Sequence, residues 1–262
     1  MRRLLDQKPR REWARQQRIL LVLERRFARR FAREVRAESQ RMIDFYKATG
    51  EVPAPSAAHE RALIAIETDL AEAASKAFGG RILDQGKASG LVLERKFNFA
   101  AFFQNVAMRW AADEMVRRRI TNIADTTRSQ IVRQVLRGQE EGLGVDQIAT
   151  NIARNVSGIA KIRGALIART ETHGAANNGA NAAARQTGLQ LKKEWIAAED
   201  ERTRDQHRDA DGDIVGMYDT FEVGGESLRY PGDPMGSAEN TINCRCAVGY
   251  VVDDPLDAVA QT

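Results

Sequence analysis

Residues 192–250 read KKEWIAAEDERTRDQHRDADGDIVGMYDTFEVGGESLRYPGDPMGSAENTINCRCAVGY, and the pattern of the chain changes here. This stretch contains a tryptophan, a charged turn, a Gly-Gly pair and a Cys-x-Cys sequence. The sequence before it is long, amphipathic and poor in proline. Such a change favours helices that lead into a compact module with strands. We therefore predict an α+β protein, with a mostly helical N-terminal region and a small C-terminal module built on an antiparallel sheet.

The C-terminal module carries three strand signals. The apolar sequence about Trp195 predicts a strand, and Gly224-Gly225 predicts a hairpin whose turn needs positive φ angles. In the last segment, alternate residues from Ile242 to Val252 are apolar or cysteine. This alternation predicts a single strand with both cysteines on one face.

The remaining sequence predicts helices with glycine-rich or proline-containing breaks between them. Pro53 and Pro55 interrupt the first helix, and Gly188 is expected to cap the last one in a left-handed conformation. Gly174 and Gly179 lie inside that last helix, where each costs about 1 kcal/mol relative to alanine, so we expect another backbone to pack closely against them. The predicted helices span residues 10–48, 57–77, 98–119, 123–141 and 159–187. A linker is predicted at 49–57, a loop or frayed region at 79–90, and a loop, a short helix and a stop at 142–158.

This pattern divides the sequence into four parts. Residues 1–56 form a basic amphipathic helix and linker, and residues 57–141 form a helical region. Residues 142–252 form the module with strands, and residues 253–262 form an acidic tail.

Composition narrows the class of protein. The 262 residues contain no apolar run of the length that crosses a membrane, and no apolar segment follows the basic N-terminus, so neither a membrane span nor a secretory signal is expected. The chain has only two cysteines, separated by one residue. This usage gives no disulfide framework and fits a reducing cytoplasm.

Charge is distributed unevenly along the chain. Residues 1–50 contain 15 basic and 6 acidic side chains, whereas residues 189–262 contain 7 basic and 16 acidic ones. Arginines flank the apolar stripe of the first predicted helix, and arginine pairs well with phosphate and carboxylate groups. Two interpretations stay open, a solvated helix face and a surface that binds nucleic acid or a protein partner. The arginines are Arg25, Arg26, Arg29, Arg30, Arg33 and Arg36.

Polar side chains concentrate after Trp195. One turn or short helix can bring this set together, either as a structural cluster of ion pairs or as a catalytic site. In the catalytic alternative, His207 is the general base and Arg202 or Arg204 holds a phosphate. The set consists of Asp200, Arg202, Thr203, Arg204 and His207.

Cys244 and Cys246 present two sulfur atoms to one side of the predicted strand, and His207 is a candidate third metal ligand. Zinc is the metal such a set would take, with Asp205, Asp211 or His173 as the fourth ligand. The alternative, which we favour, is that both cysteines are small apolar core residues, and no cofactor is then required. A disulfide between them is not expected.

Three stretches together resemble the phage head morphogenesis family typified by phage Mu F protein, over about residues 142–252. They are ALIARTETHGAANNGANAAA, KKEWIAAEDERTRDQHRDADG and FEVGGESLRYPGDPMGSAENTINCRC. Within them lie an Ala-Arg-Thr-Glu helix with Arg169 and Glu171, the turn after Trp195, and the Asn-Cys-Arg-Cys segment.

The resemblance implies a minor head protein of a tailed phage or prophage. Its expected partners are the portal protein, capsid or scaffold proteins and DNA. Its expected place is the portal vertex of the virion head, with the host cytoplasm as the site of assembly. The implied role is procapsid assembly and DNA packaging or delivery, without enzymatic activity. No further domain follows the matched block, so a separate toxin domain is not expected.

Overall fold

The computed structural model describes residues 2–3, 9–88, 97–198 and 200–252, and it confirms the α+β class. No helix among these residues combines the length and the apolar character needed to cross a bilayer. The helices are α1 (Pro9–Thr49), α2 (Ala57–Ala88), α3 (Phe99–Ala112), α4 (Glu114–Glu140), α5 (Val145–Gln186), α6 (Asp205–Asp209) and α7 (Ala238–Thr241). The strands are β1 (Arg2–Arg3), β2 (Leu191–Ile196), β3 (Ile214–Gly216), β4 (Phe221–Val223), β5 (Glu226–Leu228) and β6 (Ala247–Val252).

The strands form a four-stranded antiparallel sheet, in the order β1-β6-β2-β3, and a separate β4–β5 hairpin. The predicted strand about Trp195 is β2, and Trp195 lies opposite Val248 of β6. The predicted Gly-Gly hairpin is also confirmed, because Gly224 and Gly225 have φ angles of 59° and 78°. Pairing of β1 with the edge of β6 has no counterpart in the sequence analysis, since two residues carry no periodic signal.

The chain divides into two compact units, each assembled from segments that are distant in the sequence. One comprises Met1–Leu23, Asp69–Trp110 and Arg169–Thr262, and the other comprises Glu24–Thr68 and Ala111–Ala168. The predicted four-part division follows composition and remains a prediction about sequence segments. Its acidic tail, residues 253–262, lies outside the described residues.

Helix α1 confirms the long first helix, and the break that follows it confirms the proline-containing linker. Within the second unit, Met42, Ile43 and Tyr46 of α1 pack in one buried cluster with Ile131 of α4 and Ile152 of α5. Phe45, on the same helix, lies outside this cluster. Phe45 is 42% exposed, because the buried face continues from Met42 to Tyr46 at the four-residue helical spacing.

Two glycine-containing breaks that the sequence predicts are absent from the helices. Helix α2 continues through Gly79 to Ala88, and α5 runs from Val145 through Gly158 without the predicted stop. Isolated glycines lower helix propensity by about 1 kcal/mol each, which tertiary packing of a long helix readily outweighs. The predicted cap at Gly188 is confirmed by its φ angle of 66°.

The predicted helix over residues 98–119 is wrong in the opposite sense, because Asp113 divides it into α3 and α4. Asp113 is an N-cap with extended backbone angles, and its Oδ1 accepts hydrogen bonds from the backbone N–H groups of Met115 (2.9 Å) and Val116 (3.4 Å). These bonds satisfy donors that the first turn of α4 leaves free.

The predicted strand from Ile242 to Val252 is wrong in its first half. Residues 238–241 form α7, Asn243 has a φ angle of 63°, and β6 begins only at Ala247. A left-handed residue cannot belong to a strand, and asparagine tolerates this conformation better than most residues. The cysteines therefore lie in a turn and an extended segment that precede the sheet.

The close backbone approach expected at the glycines of α5 is present within the first unit. A Cβ atom added at Gly179 would meet the Cα of Ser75 in α2 and lie 2.6 Å from its Oγ, while one added at Gly79 would lie 2.8 Å from the carbonyl oxygen of Gly179. Helices α2 and α5 thus cross where neither has a bulky side chain, and the packing offsets the low helix propensity of glycine.

We expect Gly179→Ala to destabilise the protein by about 1–3 kcal/mol, because the new methyl group overpacks the contact with Ser75. The matched control is Gly158→Ala in the same helix, where nothing lies within 4 Å of an added Cβ. This control should stabilise by about 0.5–1 kcal/mol through helix propensity. Thermal denaturation of both variants checks the prediction, and stabilisation by Gly179→Ala would contradict the described crossing.

Candidate functional site

The centre of the C-terminal module is a buried group formed by His207, Cys244 and Cys246. Short helix α6 carries His207, which is 1% exposed, and the edge of its ring packs against Trp195 with ring centroids 5.4 Å apart. The Nδ1 atom of His207 lies 3.4 Å from the Sγ of Cys246 and 3.7 Å from the Sγ of Cys244. Both cysteines are free and buried, so the structure brings together the three residues that the sequence analysis considered as metal ligands.

Asn240 determines which nitrogen of His207 carries the proton. The Nδ2 of Asn240 donates to the carbonyl oxygen of Val223 at 3.2 Å, and a carbonyl can only accept. This bond turns the Oδ1 of Asn240 toward the Nε2 of His207, 3.2 Å away. Nε2 is therefore the N–H donor, and the lone pair of Nδ1 faces the two sulfur atoms.

Side chains of α5 hold the turn that positions Cys244. The Oγ1 of Thr170 accepts a hydrogen bond from the backbone N–H of Asn243 at 3.0 Å, and the Nη1 of Arg169 donates to the Oδ1 of Asn243 at 3.1 Å. The backbone N–H of Cys244 then donates to the carbonyl oxygen of Thr241. The Ala-Arg-Thr-Glu motif thus has a structural role, and it fixes a left-handed asparagine.

Asn177, two helical turns further along α5, fixes the other end of the same segment. Its Nδ2 donates to the carbonyl oxygens of Pro231 (2.8 Å) and Cys246 (3.3 Å), and its Oδ1 accepts from the backbone N–H of Val248 (3.1 Å). One buried amide therefore links the Pro-Gly-Asp-Pro loop to the start of β6. Sequence alone does not single out Asn177, because small residues surround it and Asn178 and Asn181 carry the same amide.

Arg245 points to the opposite side from the two cysteines that flank it. Its guanidinium binds both carboxylate oxygens of Asp200, and its backbone carbonyl accepts hydrogen bonds from the Nε1 of Trp13 (3.0 Å) and the Nε2 of Gln17 (3.1 Å). The hydrogen bond from Arg245 lowers the pKa of Asp200 to about 2, and the backbone N–H of Arg202 adds to this effect. Asp200 and Arg245 thus form an ion pair that anchors the turn after β2.

The two thiols share protons unequally. The hydrogen bond with Cys246 holds the pKa of the Cys244 thiol well below its usual range, whereas the interaction with Cys244 and burial raise the pKa of Cys246. The first proton therefore leaves Cys244 more readily than the second leaves Cys246.

The polar set predicted after Trp195 separates into two places. Thr203 is buried, and its Oγ1 donates to Asp200, so it belongs to the ion-pair turn. Arg202 is 73% exposed and 3.9 Å from Asp200, and the Nη2 of Arg204 donates to the carbonyl oxygen of Ile242 at 2.6 Å. The two arginines that the sequence analysis joined with His207 in a phosphate site therefore have neighbours different from those of the imidazole.

The remaining candidates also have defined positions. Asp211 accepts a hydrogen bond from the backbone N–H of Ala197, and Asp205 forms an exposed ion pair with Arg208. Neither these two aspartates nor His173 belongs to the metal-ligand group found among the described residues. Glu171 of the Ala-Arg-Thr-Glu motif is buried.

An open pocket of about 390 Å³ lies beside the ion-pair turn. It is lined by Ala197, Asp200, Glu201, Arg208 and Asp211. None of the three residues considered for catalysis, His207, Arg202 and Arg204, lines this pocket.

Lys193 is a buried charged residue that the sequence does not single out. It is fully buried in β2, and its Nζ donates to the carbonyl oxygens of Asp219 (2.6 Å) and Arg229 (2.8 Å). Burial lowers its pKa to about 8. Because both acceptors are backbone atoms in the loops around the β4–β5 hairpin, Lys193 ties that hairpin to the main sheet. A lysine in a charged sequence gives no signal of such burial.

The arginine face of α1 is solvent-accessible. Arg25, Arg29, Arg33 and Arg36 are exposed, and within the described part of the chain none of these four has an ion-pair partner. Arg26 is also exposed and Arg30 is half-buried, and both guanidinium groups lie over the ring of Phe27 at 5.3 Å from its centroid. This face is a candidate surface for an anionic partner.

Comparison with known proteins confirms the resemblance found in the motifs. Residues 129–249 match the family model described as Phage Mu protein F like protein. The chain is 35% identical over 137 residues to "Minor head protein GP7" of Bacillus phage SPP1, which covers 51% of this chain and 44% of that protein. Residues 129–249 thus match this family, and the match begins earlier than the predicted boundary at 142.

Two further relatives have different names. The chain is 28% identical over 206 residues to "NAD(+)--arginine ADP-ribosyltransferase EFV" of Enterococcus faecalis (strain ATCC 700802 / V583), covering 73% of this chain and 42% of that protein. It is 24% identical over 157 residues to "Uncharacterized protein YqbB" of Bacillus subtilis (strain 168), covering 58% of this chain and 50% of that protein. The chain spans half or less of the length of these relatives. No solved structure shows significant similarity to it.

We expect Asp200→Asn to lower the melting temperature at neutral pH. The pKa of Asp200 is depressed from 3.8 to about 2 in the folded protein, so its ionised form adds stability above about pH 4, and this stability is lost as the pH falls through about 2. Asp200 is 35% exposed, and screening limits the contribution to about 1 kcal/mol. Thermal denaturation between about pH 2 and pH 7 measures the difference.

Asp205→Asn is the matched control for this change, because Asp205 is 91% exposed and its pair with Arg208 is screened by solvent. Its effect should stay within about 0.5 kcal/mol at any pH. If the Asp200→Asn variant remained equally destabilised at about pH 2, the ion pair with Arg245 would not be the cause.

Proposed function

We propose, from the premise that residues 129–249 match the Phage Mu protein F like family, that this chain is a minor head protein of a tailed phage or prophage. The observation that carries the proposal is that the 35% identical relative is named a minor head protein. The family range also contains the central elements of the module: most of α5, the Asp200–Arg245 ion pair and the group around His207. In this proposal the module is a rigid structural element.

We further propose that the chain acts at the portal vertex during procapsid assembly and in DNA packaging or delivery. Its partner there is the portal protein, with capsid or scaffold proteins as neighbours. The arginine face of α1 supports this proposal, because four exposed guanidinium groups on one helix suit an acidic protein surface. The chain accordingly resides in the virion head, after assembly in the host cytoplasm.

The proposed role is not enzymatic, although one relative carries the name of a transferase. His207 is buried among cysteines and Asn240, where a substrate has no access, and its Nε2 proton is held by the amide of Asn240. Arg202 and Arg204 have other neighbours. These contacts favour a structural use of the residues over general base catalysis, for which the base must reach its substrate.

A second candidate function is nucleic-acid binding through the same arginine face. The observation that favours it is the absence of carboxylate partners for Arg25, Arg29, Arg33 and Arg36 within the described residues. Guanidinium groups without partners can replace the counterions of a DNA backbone. This function is compatible with the first, since packaged DNA passes the portal vertex.

Co-purification with the portal protein of the same phage or prophage tests the first proposal. After nuclease treatment, the full chain should elute with the portal oligomer in size-exclusion chromatography at a fixed ratio. Replacing four arginines of α1 with glutamine should weaken the complex by between about fourfold and about 1,000-fold, since each exposed pair contributes about 0.2–1 kcal/mol. The residues to change are Arg25, Arg29, Arg33 and Arg36.

The matched control removes the same number of positive charges from α4, where four other arginines are exposed. Portal binding should persist in this control. No complex between the wild-type chain and the portal would overturn the portal assignment, and an equal loss in both variants would show a general effect of charge. The control residues are Arg117, Arg118, Arg133 and Arg137.

Fluorescence anisotropy with labelled DNA at several salt concentrations tests the second function. If the arginine face of α1 binds phosphates, the slope of log affinity against log salt should fall by about 0.9 for each phosphate that is no longer neutralised, or by up to about 4 in the α1 variant. The α4 control should keep the wild-type slope. An affinity that does not change with salt would exclude phosphate binding.

Incubation of the pure chain with labelled NAD⁺ and an arginine-containing acceptor tests the non-enzymatic role. We expect no transfer of label above a heat-denatured sample. Transfer that is lost in the His207→Gln variant but retained in Asp205→Asn would replace the structural interpretation of the site with a catalytic one.

A further inference from the structure

We propose that His207, Cys244 and Cys246 form a zinc site inside the C-terminal module. The three ligand atoms lie within 4.8 Å of one another, and all three side chains are buried. This inference does not depend on the proposed function in the phage head. It is the alternative to a simple apolar core at the two cysteines.

The distances between ligand atoms fit a tetrahedral metal. Zinc lies about 2.3 Å from thiolate sulfur and about 2.0 Å from imidazole nitrogen, so a tetrahedral angle separates these two ligands by about 3.5 Å. The Nδ1 of His207 is 3.4 Å from the Sγ of Cys246 and 3.7 Å from the Sγ of Cys244. A metal ion can therefore occupy the space between the three atoms with little movement of the backbone.

The chemistry of the ligands selects the metal. Two thiolates and one imidazole prefer a soft or borderline ion such as zinc over magnesium or calcium, which bind oxygen. Two thiolate charges also balance the 2+ charge of the ion, so the buried site becomes neutral when both protons have left. The three protein ligands leave one tetrahedral position for a further ligand.

The surroundings of His207 are those of a metal ligand. A ligating histidine usually donates its other N–H group to an acceptor that fixes the tautomer and the orientation of the ring. Asn240 accepts from the Nε2 of His207, and the carbonyl oxygen of Val223 holds the amide of Asn240 in that orientation. The lone pair of Nδ1 is thus directed to the sulfur atoms, as metal binding requires.

N–H groups also surround the sulfur of Cys246. The backbone N–H of Ala198 is a hydrogen-bond donor to this sulfur, and the indole of Trp195 lies next to it with a buried Nε1 that has no hydrogen-bond partner among the described residues. Such outer N–H groups are typical of the surroundings of metal ligands.

The metal would join segments that are distant in the sequence. His207 lies on α6, and the cysteines, 37 and 39 residues further along the chain, precede β6. A cross-link of this length reduces the freedom of the unfolded chain, as a disulfide does. Zinc would thus stabilise the fold of the module between β2 and β6.

The test uses the full chain without a polyhistidine tag. The protein is expressed in zinc-supplemented medium and then purified. Elemental analysis should find about one zinc ion per chain. Cobalt added to the metal-free protein should give the sulfur-to-cobalt charge-transfer band and the visible bands of a tetrahedral site. This measurement uses the wild-type chain, so it does not depend on whether a variant folds. A strong chelator should lower the melting temperature, and added zinc should restore it.

Three variants locate the metal. Cys244→Ser and Cys246→Ser should each lose the charge-transfer intensity of one thiolate and retain less than one metal ion per chain, and Asn240→Ala should weaken binding by about 10- to 100-fold. Asp205→Asn, on the same short helix as His207, is the control and should retain one metal ion. Circular dichroism checks that each variant is folded.

Two results would overturn the proposal. One is a folded wild-type chain that binds neither zinc nor cobalt in stoichiometric amounts, which would return the cysteines to the apolar core. The other is metal that is retained unchanged in both cysteine variants, since it would then lie elsewhere on the chain.

Discussion

The segment from Asn243 to Val248 depends on hydrogen bonds from the side chains of α5. Its first residues precede β6, so they lack the full set of strand partners, and buried backbone groups without partners are costly. Thr170 binds the backbone N–H of Asn243, and Asn177 binds Cys246 and Val248. The two side chains therefore hold the segment at both ends.

The same face of α5 explains the glycine between these two residues. Gly174 lies four residues after Thr170 and three before Asn177, and a Cβ added there would lie 2.8 Å from the carbonyl oxygen of Gly232. The Pro-Gly-Asp-Pro loop can thus lie against the helix, within reach of the amide of Asn177. Polar side chains and small residues alternate along one helical face, and together they hold the loop and the strand in place.

Side chains of residues 244–246 point alternately to opposite sides of the segment, so they take part in two separate groups of contacts. The cysteines point toward His207, and Arg245 between them points toward Asp200. The ion pair fixes the turn after β2, which leads into the helix that carries His207. The Asp200–Arg245 ion pair and the buried group of His207, Cys244 and Cys246 are thus coupled through three consecutive residues. The short Cys-Arg-Cys sequence contributes side chains to both.

Several properties of this protein were already determined by its sequence. Helix α1, the strand at Trp195 and the Gly-Gly hairpin follow from periodicity and turn chemistry, which act over a few residues. Tertiary structure decided the rest: Gly79 and Gly158 remain helical, and His207 lies beside two cysteines rather than two arginines. The physical reason is that burial and hydrogen bonding are satisfied by partners tens of residues away, such as Asn240 and Asn177. A local sequence pattern does not indicate which distant side chains and backbone groups will come into contact.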